Sequence, residues 1–170
     1  MAKPTLYLLV GYPGAGKTTV SKIIASATGA THLWADVERH KLFGEATHSH
    51  AESLKLYDYL NDEAAKLLAA GHSVVFDTNF NFRSDRDKLR GIAKKNGAGA
   101  LVIWIQLPKE EAKRRAVNKI DSRNGYQVAM TPEQFDAITA KLEPPTEDEN
   151  AIKLDGMKLD KEAVVRLLGL

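Results

Sequence analysis

The chain has 170 residues, a formal net charge of +2 and no cysteine. That excludes disulfides and thiolate metal sites, and so small a charge excludes an argument for nucleic acid from electrostatics alone. Hydrophobic content of 44% and charged content of 27% are those of a single folded α/β-sized domain with a real core.

Thr5 to Val10 (TLYLLV) is an apolar run of strand formers. Gly11 to Thr18 (GYPGAGKT) follows it and matches G-x-x-x-x-G-K-[ST] in full. Val20, Ile23, Ile24 and Ala27 then recur at helical spacing up to Gly29. Strand, glycine loop and helix in that order make a phosphate site, because loop N–H groups converge on an anion at a positively polarised helix start. Gly11, Pro13, Gly14, Ala15, Gly16, Lys17, Thr18 and Thr19 are the expected nucleoside triphosphate contacts. Lys17 would reach the β- and γ-phosphates and the Thr18 hydroxyl would ligate Mg²⁺. One lysine ahead of the first strand imitates a secretory leader, but its apolar run of about six residues is shorter than an h-region. No run approaches transmembrane length, so a cytoplasmic location without membrane contact is expected.

Further along, Thr31 to Trp34 reads as a second strand, and Asp36 as the cap of a short helix through about Phe43. Gly44 to His50 is a polar connection, and Leu54, Tyr57, Leu60, Ala64, Leu67 and Leu68 mark a helix over residues 51–70. Ser73 to Phe76 is a third strand that delivers Asp77 to its C-terminal end. Ser84-Asp85-Arg86-Asp87 has the spacing of a capping box for a helix to about Asn96. Leu101 to Leu107 is the fourth strand and Pro108 opens a helix over 109–117. Thr131-Pro132-Glu133-Gln134 caps the next helix, to about Leu142, before Pro144-Pro145 breaks the chain. Ala151 to Leu154 is a fifth strand, and Lys161 to Leu168 a last helix. The expected fold is a three-layer α/β P-loop NTPase fold: one domain over 1–170, with a parallel sheet of about five strands and helices on both faces.

Ligands of such sheets sit at the strands' C-terminal ends, which singles out Asp36 and Asp77. Asp77 ends an apolar strand as a Walker B aspartate does and could hold Mg²⁺ opposite Thr18; an ordinary turn-capping aspartate reads the same way. Asp36 and Arg39 share a helix face. Asp36 could accept an acceptor hydroxyl's proton while Arg39 grips an anionic group on that acceptor, or Asp36 could be an N-cap paired with Arg39. Spacing alone leaves both open.

Lys109 to Arg123 holds six basic and three acidic residues, with Arg114, Arg115 and Arg123 placed to form an arginine-bearing lid over about 114–130. Phosphoryl transfer rewards such positioned charge, although a solvated helix face has a similar composition. Asn118-Lys119-Ile120-Asp121 spells N-K-x-D, but its charged helical surroundings are wrong for guanine recognition. His48 and His50 read as solvated loop residues. Trp34, Phe43, Tyr57 and Tyr59 could line an acceptor pocket or only the core. Glu143 to Glu149 (EPPTEDE) reads as a surface loop that could border the lid.

Taken together, GYPGAGKTT, ADVERHKLFG, VVFDTNFNFRSDRDKLR, the arginine stretch and PPTEDE resemble the predicted-kinase ATPases of the P-loop kinase superfamily. These are relatives of gluconate kinase, chloramphenicol phosphotransferase, zeta toxin and polynucleotide kinase. The resemblance implies ATP and Mg²⁺ as cofactors and transfer of the γ-phosphate to a hydroxyl of a small molecule. It implies that Asp36 is the acceptor's base or orienting group with Arg39 beside it, that Asp77 supports the metal, and that Arg114, Arg115 and Arg123 serve the lid. A polynucleotide 5′-hydroxyl kinase is the alternative, with nucleic acid as second-choice partner, and a nucleotide-dependent switch without transfer is the reading from another class. A monomer or weak dimer is expected.

Overall fold

The computed structural model describes residues 2–117 and 129–170. In chain order the elements are β1 (Thr5–Val10), α1 (Lys17–Thr28), β2 (Thr31–Trp34), α2 (Ala35–Phe43), α3 (His50–Ala69), β3 (Val74–Asp77), α4 (Arg83–Lys95), β4 (Gly99–Gln106), α5 (Lys109–Ala116), α6 (Pro132–Ala140), β5 (Ile152–Asp155) and α7 (Lys161–Leu168). The five strands form one parallel sheet in the order β2-β3-β1-β4-β5. β1 is central: Leu6 pairs with Val74 on one side and Ala100 on the other.

Both faces of the sheet are covered, so its central strands carry near-continuous apolar runs rather than alternating. Alternation decides only which layer each side chain enters. Leu6, Leu8 and Val10 of β1 join Val74, Phe76 and Val102 in a core under α3 and α4, supplied by Leu56, Leu60, Ala64, Leu89 and Ala93. Tyr7 and Leu9 face the opposite layer with Val75, Ile103 and Ile105, packed by Val20, Ile24, Phe135 and Val164 of α1, α6 and α7. Leu8 and Phe76 are fully buried, each worth about 1.5–3 kcal/mol of transfer free energy.

Two local expectations are corrected. Asp36 does not cap α2: Trp34 occupies that position without a side-chain bond, and Asp36 lies inside the first turn, where its negative charge suits the helix dipole. Ser84-Asp85-Arg86-Asp87 is no capping box either, because α4 begins at Arg83 with Phe82 ahead of it and no side-chain cap. By contrast, Thr131 and Gln134 form the expected reciprocal box with Pro132 in the first turn.

Glu143 to Glu149 is more than surface loop. Glu147–Glu149 is a 3₁₀ turn whose Glu149 carboxylate is fully buried and takes both Nε (2.7 Å) and Nη2 (2.8 Å) of the fully buried Arg86. Arg90 adds a third bond to Glu149 at 2.8 Å, and Arg83 grips Asp148 at 2.6 Å. These pairs fasten α4 to the approach to β5. Among the described residues no helix is long and apolar enough to cross a membrane.

Candidate functional site

The C-terminal ends of β1, β2 and β3 open into one cleft of about 1240 Å³. Its floor is the loop between β1 and α1. Gly14 has φ +83°, and a Cβ there would sit 2.5 Å from the Ala112 carbonyl oxygen; Gly16 has φ +112° and lies against Leu159. Both positions require glycine, since left-handed backbone and close approach coincide. The loop is thereby pressed against α5 and the segment after β5. Gly156 completes the contact, because a Cβ there would lie 3.0 Å from the Ala15 carbonyl oxygen.

Lys17 is buried and donates from Nζ to the carbonyl oxygens of Gly11 (2.8 Å) and Tyr12 (2.9 Å). Burial pulls its pKa down to about 8, against the opposing pull of the carboxylates of Asp77 and Asp36. That ammonium faces the cleft and can exchange its carbonyl partners for the oxygens of an anion. Thr18 and Thr19 line the same space, as do Pro13, Gly14 and Gly16. Gly11 and Ala15 are buried in the loop's backbone and do not line it.

Asp77 closes β3, 4% exposed, and its Oδ2 meets His32 Nε2 at 2.9 Å. His32 is stacked on Trp34, with ring centroids 5.5 Å apart. Oδ1 has no hydrogen-bond partner among the described residues and belongs to a side chain that lines the cleft with Thr18. A hydroxyl and a carboxylate are hard oxygen donors suited to Mg²⁺.

Asp36 enters the cleft from the first turn of α2. Its carboxylate is open to the cleft but ringed by protein: desolvation pushes its pKa up, Asp77 pushes the same way, and Arg39, His48 and Lys17 oppose them. Arg39 lines the cleft but is not paired with Asp36. Its Nη1 binds Glu52 Oε1 at 2.5 Å and its Nη2 the Ser53 hydroxyl at 3.3 Å. Glu52 also accepts from the Thr47 N–H (2.8 Å), the Thr47 hydroxyl (2.7 Å) and the His48 N–H (3.3 Å). The bond from Arg39 first, and then those from Thr47 and His48, hold its carboxyl down at about 2. His48 takes a left-handed φ of 54° there.

Of the four aromatic residues left open by the sequence, Trp34 and Tyr57 line the cleft, whereas Phe43 and Tyr59 pack against the core. Tyr57 shares a 2.9 Å hydrogen bond with Thr78. His48 and His50 are both exposed and border the cleft, but only His48 lies in the loop; His50 opens α3, where the Ser49 side chain caps the helix. Sequence reasoning missed Asn79, Asn81, Phe82 and Asp85, which extend the wall beyond Asp77. The rule that picked Asp77 applies equally to the residues just after it. Burial raises the Asp85 pKa. Glu52 gave no signal, since its role depends on Arg39 meeting it across two helices.

The arginines divide. Arg115 lines the cleft and is aimed by Glu111 (2.8 Å), the Gly156 carbonyl (3.1 Å) and Met157 Sδ (3.4 Å). Arg114 is 67% exposed, makes a two-pronged pair with Glu111, and does not line the cleft. Being one position away on an α-helix turns it by about 100° to the other face. Arg123, most of the expected 114–130 lid and the N-K-x-D segment lie outside the described residues. No cluster of three or more metal-ligating side chains occurs among the described residues.

A parallel sheet in the order β2-β3-β1-β4-β5, with the glycine loop after its central strand, Asp77 at the end of β3 and Asp36 just after β2, has the α/β P-loop NTPase fold. The family model described as an AAA domain matches residues 6–145, well over half of the chain, and the chain belongs to that family. No curated protein matches. Among solved structures, a protein of Chloroflexus aurantiacus shares 18% identity at a TM-score of 0.77, covering 99% of this chain and 96% of its own. The APS kinase of Mycobacterium tuberculosis, solved with AMPPNP and APS, shares 19% identity at a TM-score of 0.71, covering 100% of both chains. A gluconokinase from Sinorhizobium meliloti shares 20% identity at a TM-score of 0.65, covering 96% of this chain and 87% of its own. Likeness at these identities carries the fold.

Proposed function

We propose that this protein is an ATP-dependent kinase that phosphorylates a hydroxyl group of a small molecule. The observation that supports it most is the union of the P-loop and Asp36 in one cleft of about 1240 Å³, larger than a typical single-ligand pocket of about 300–1000 Å³. That is room for a donor and an acceptor together. The kinase neighbours, one of them solved with AMPPNP, agree with a triphosphate donor.

In this reading the loop's N–H groups and Lys17 bind the β- and γ-phosphates, and Arg115 closes the donor end beside Gly156. Thr18 and Asp77 would hold Mg²⁺, which when bound neutralises charge on the phosphates. Asp36 orients the acceptor and takes the proton from its hydroxyl. The freed oxygen bonds to the γ-phosphorus as the bond to the β-phosphate oxygen breaks, and ADP leaves. A carboxylate whose pKa is raised by its surroundings is a better proton acceptor than an ordinary aspartate.

The test is ATP consumption with product analysis against sugars, nucleosides, antibiotics and 5′-hydroxyl oligonucleotides. Stimulation by one class of small molecule is expected, and Asp36→Asn should then cut kcat by about 100-fold or more while ATP affinity stays within a few-fold. Stimulation by oligonucleotides alone would install the polynucleotide reading, and stimulation by nothing would leave a nucleotide switch.

A further inference from the structure

Resting on the kinase reading, we propose that Glu52 sets the acceptor class: by occupying Arg39 it leaves the acceptor half of the cleft with an excess of carboxylate, which selects neutral or cationic hydroxyl compounds over those bearing carboxylate, phosphate or sulfate.

An arginine three residues after the acceptor aspartate is the obvious anchor for an anionic acceptor. In the structure that guanidinium already has a carboxylate partner. Glu52, itself only 8% exposed, neutralises Nη1, and the Ser53 hydroxyl takes Nη2. The pair is also locked from the far side. The second Glu52 oxygen is filled by the Thr47 N–H and hydroxyl, and the Ser49 hydroxyl caps α3 through the Glu52 N–H at 3.2 Å. Freeing Arg39 for an incoming anion would strand a buried carboxylate, which is expensive.

Carboxylates outnumber lysines around the acceptor position, with the imidazoles of His48 and His50 also on its border. Asp36 and Asp85 both line the cleft, and neither is in an ion pair among the described residues. Lys141 is the only described lysine on that side; Lys17 serves the phosphate loop. Trp34, Tyr57 and Phe82 supply aromatic walls, with Phe82 41% exposed. Two carboxylates and aromatic rings attract hydroxyl and ammonium donors and repel a second anion close to Asp36.

The experiment pairs acceptors of one carbon skeleton that differ in charge: a neutral sugar, its amino-sugar and its sugar acid or sugar phosphate. The full-length chain is assayed with Mg-ATP and product is identified by mass. Wild type is expected to favour the neutral or amino member by about tenfold or more in kcat/KM. Glu52→Gln keeps an oxygen for Thr47 but leaves Arg39 charged, so it should shrink that preference several-fold through a lower KM for the anionic member, with kcat little moved. Asp85→Asn, on an exposed turn and independent of the Arg39 pair, should shrink it in the same direction. A wild-type preference for the anionic member overturns the inference and leaves the kinase reading standing, as does an unchanged ratio in both variants. If no acceptor is phosphorylated at all, the kinase reading itself has failed.

Discussion

Lys17 shows how one residue is prepared by its neighbours. Its ammonium is held by two loop carbonyls, and burial has already lowered its pKa to about 8. Lys17→Ala removes the buried ammonium of the glycine loop, so ATP affinity should fall by about tenfold or more, read by calorimetry with a non-hydrolysable analogue. The fold should persist, because the carbonyls of Gly11 and Tyr12 can turn to water. At the same scale, His32 orients Asp77 from the neighbouring strand: Trp34 pairs with Asp77, and His32 with Val75. Nothing in the spacing of His32 and Asp77, 45 residues apart, advertises that contact. Asp36 was legible as a candidate from its place after a short strand. That Arg39 does not pair with it was not, because Arg39 is taken by Glu52 from another helix.

Among the elements, α4 and the 3₁₀ turn before β5 form a clamp around Arg86 and Glu149, both 0% exposed at their side chains. Removing one partner strands a buried charge, and Arg86→Met should cost about 3–5 kcal/mol at pH 7 in urea unfolding. Burial by itself would raise the Glu149 pKa, but hydrogen bonds from Arg86, the Thr146 N–H and Arg90 outweigh it and hold the group near 2. A folded pKa below the unfolded value of 4.5 contributes stability that is present above about pH 4.5 and is lost as pH falls towards 2. The gap between wild type and Arg86→Met should therefore narrow over that window. A constant gap would assign the loss to packing. Helix and strand positions were readable from periodicity and punctuation, as with Gly29 after α1 and Pro132 in the first turn of α6. The clamp was not, since a run of acidic residues after two prolines looks solvated until a buried arginine faces it.

For the whole molecule, the strand order places β1 between β3 and β4, and so sets the phosphate loop beside the ends of β2 and β3. The glycine loop and Asp36 then share one cleft, which the kinase reading divides between a donor and an acceptor. A non-hydrolysable ATP analogue at 100 times its Kd should stabilise the fold by about 2.7 kcal/mol. A true acceptor should add a further, separate increment in the same thermal-unfolding experiment. An acceptor that displaces the analogue instead would contradict two adjoining sites.

The sequence by itself determined the phosphate loop, the five strands and the order of helices between them. Those features are local: a glycine-rich turn, apolar runs and caps act within a few residues along the chain. Only the tertiary structure decided that Arg39 belongs to Glu52, that Asp77 is held by His32, that Arg115 and not Arg114 faces the cleft, and that Glu149 is buried. Each of those depends on which element packs against which, and a charged side chain's partner is chosen by that packing rather than by its neighbours in the chain.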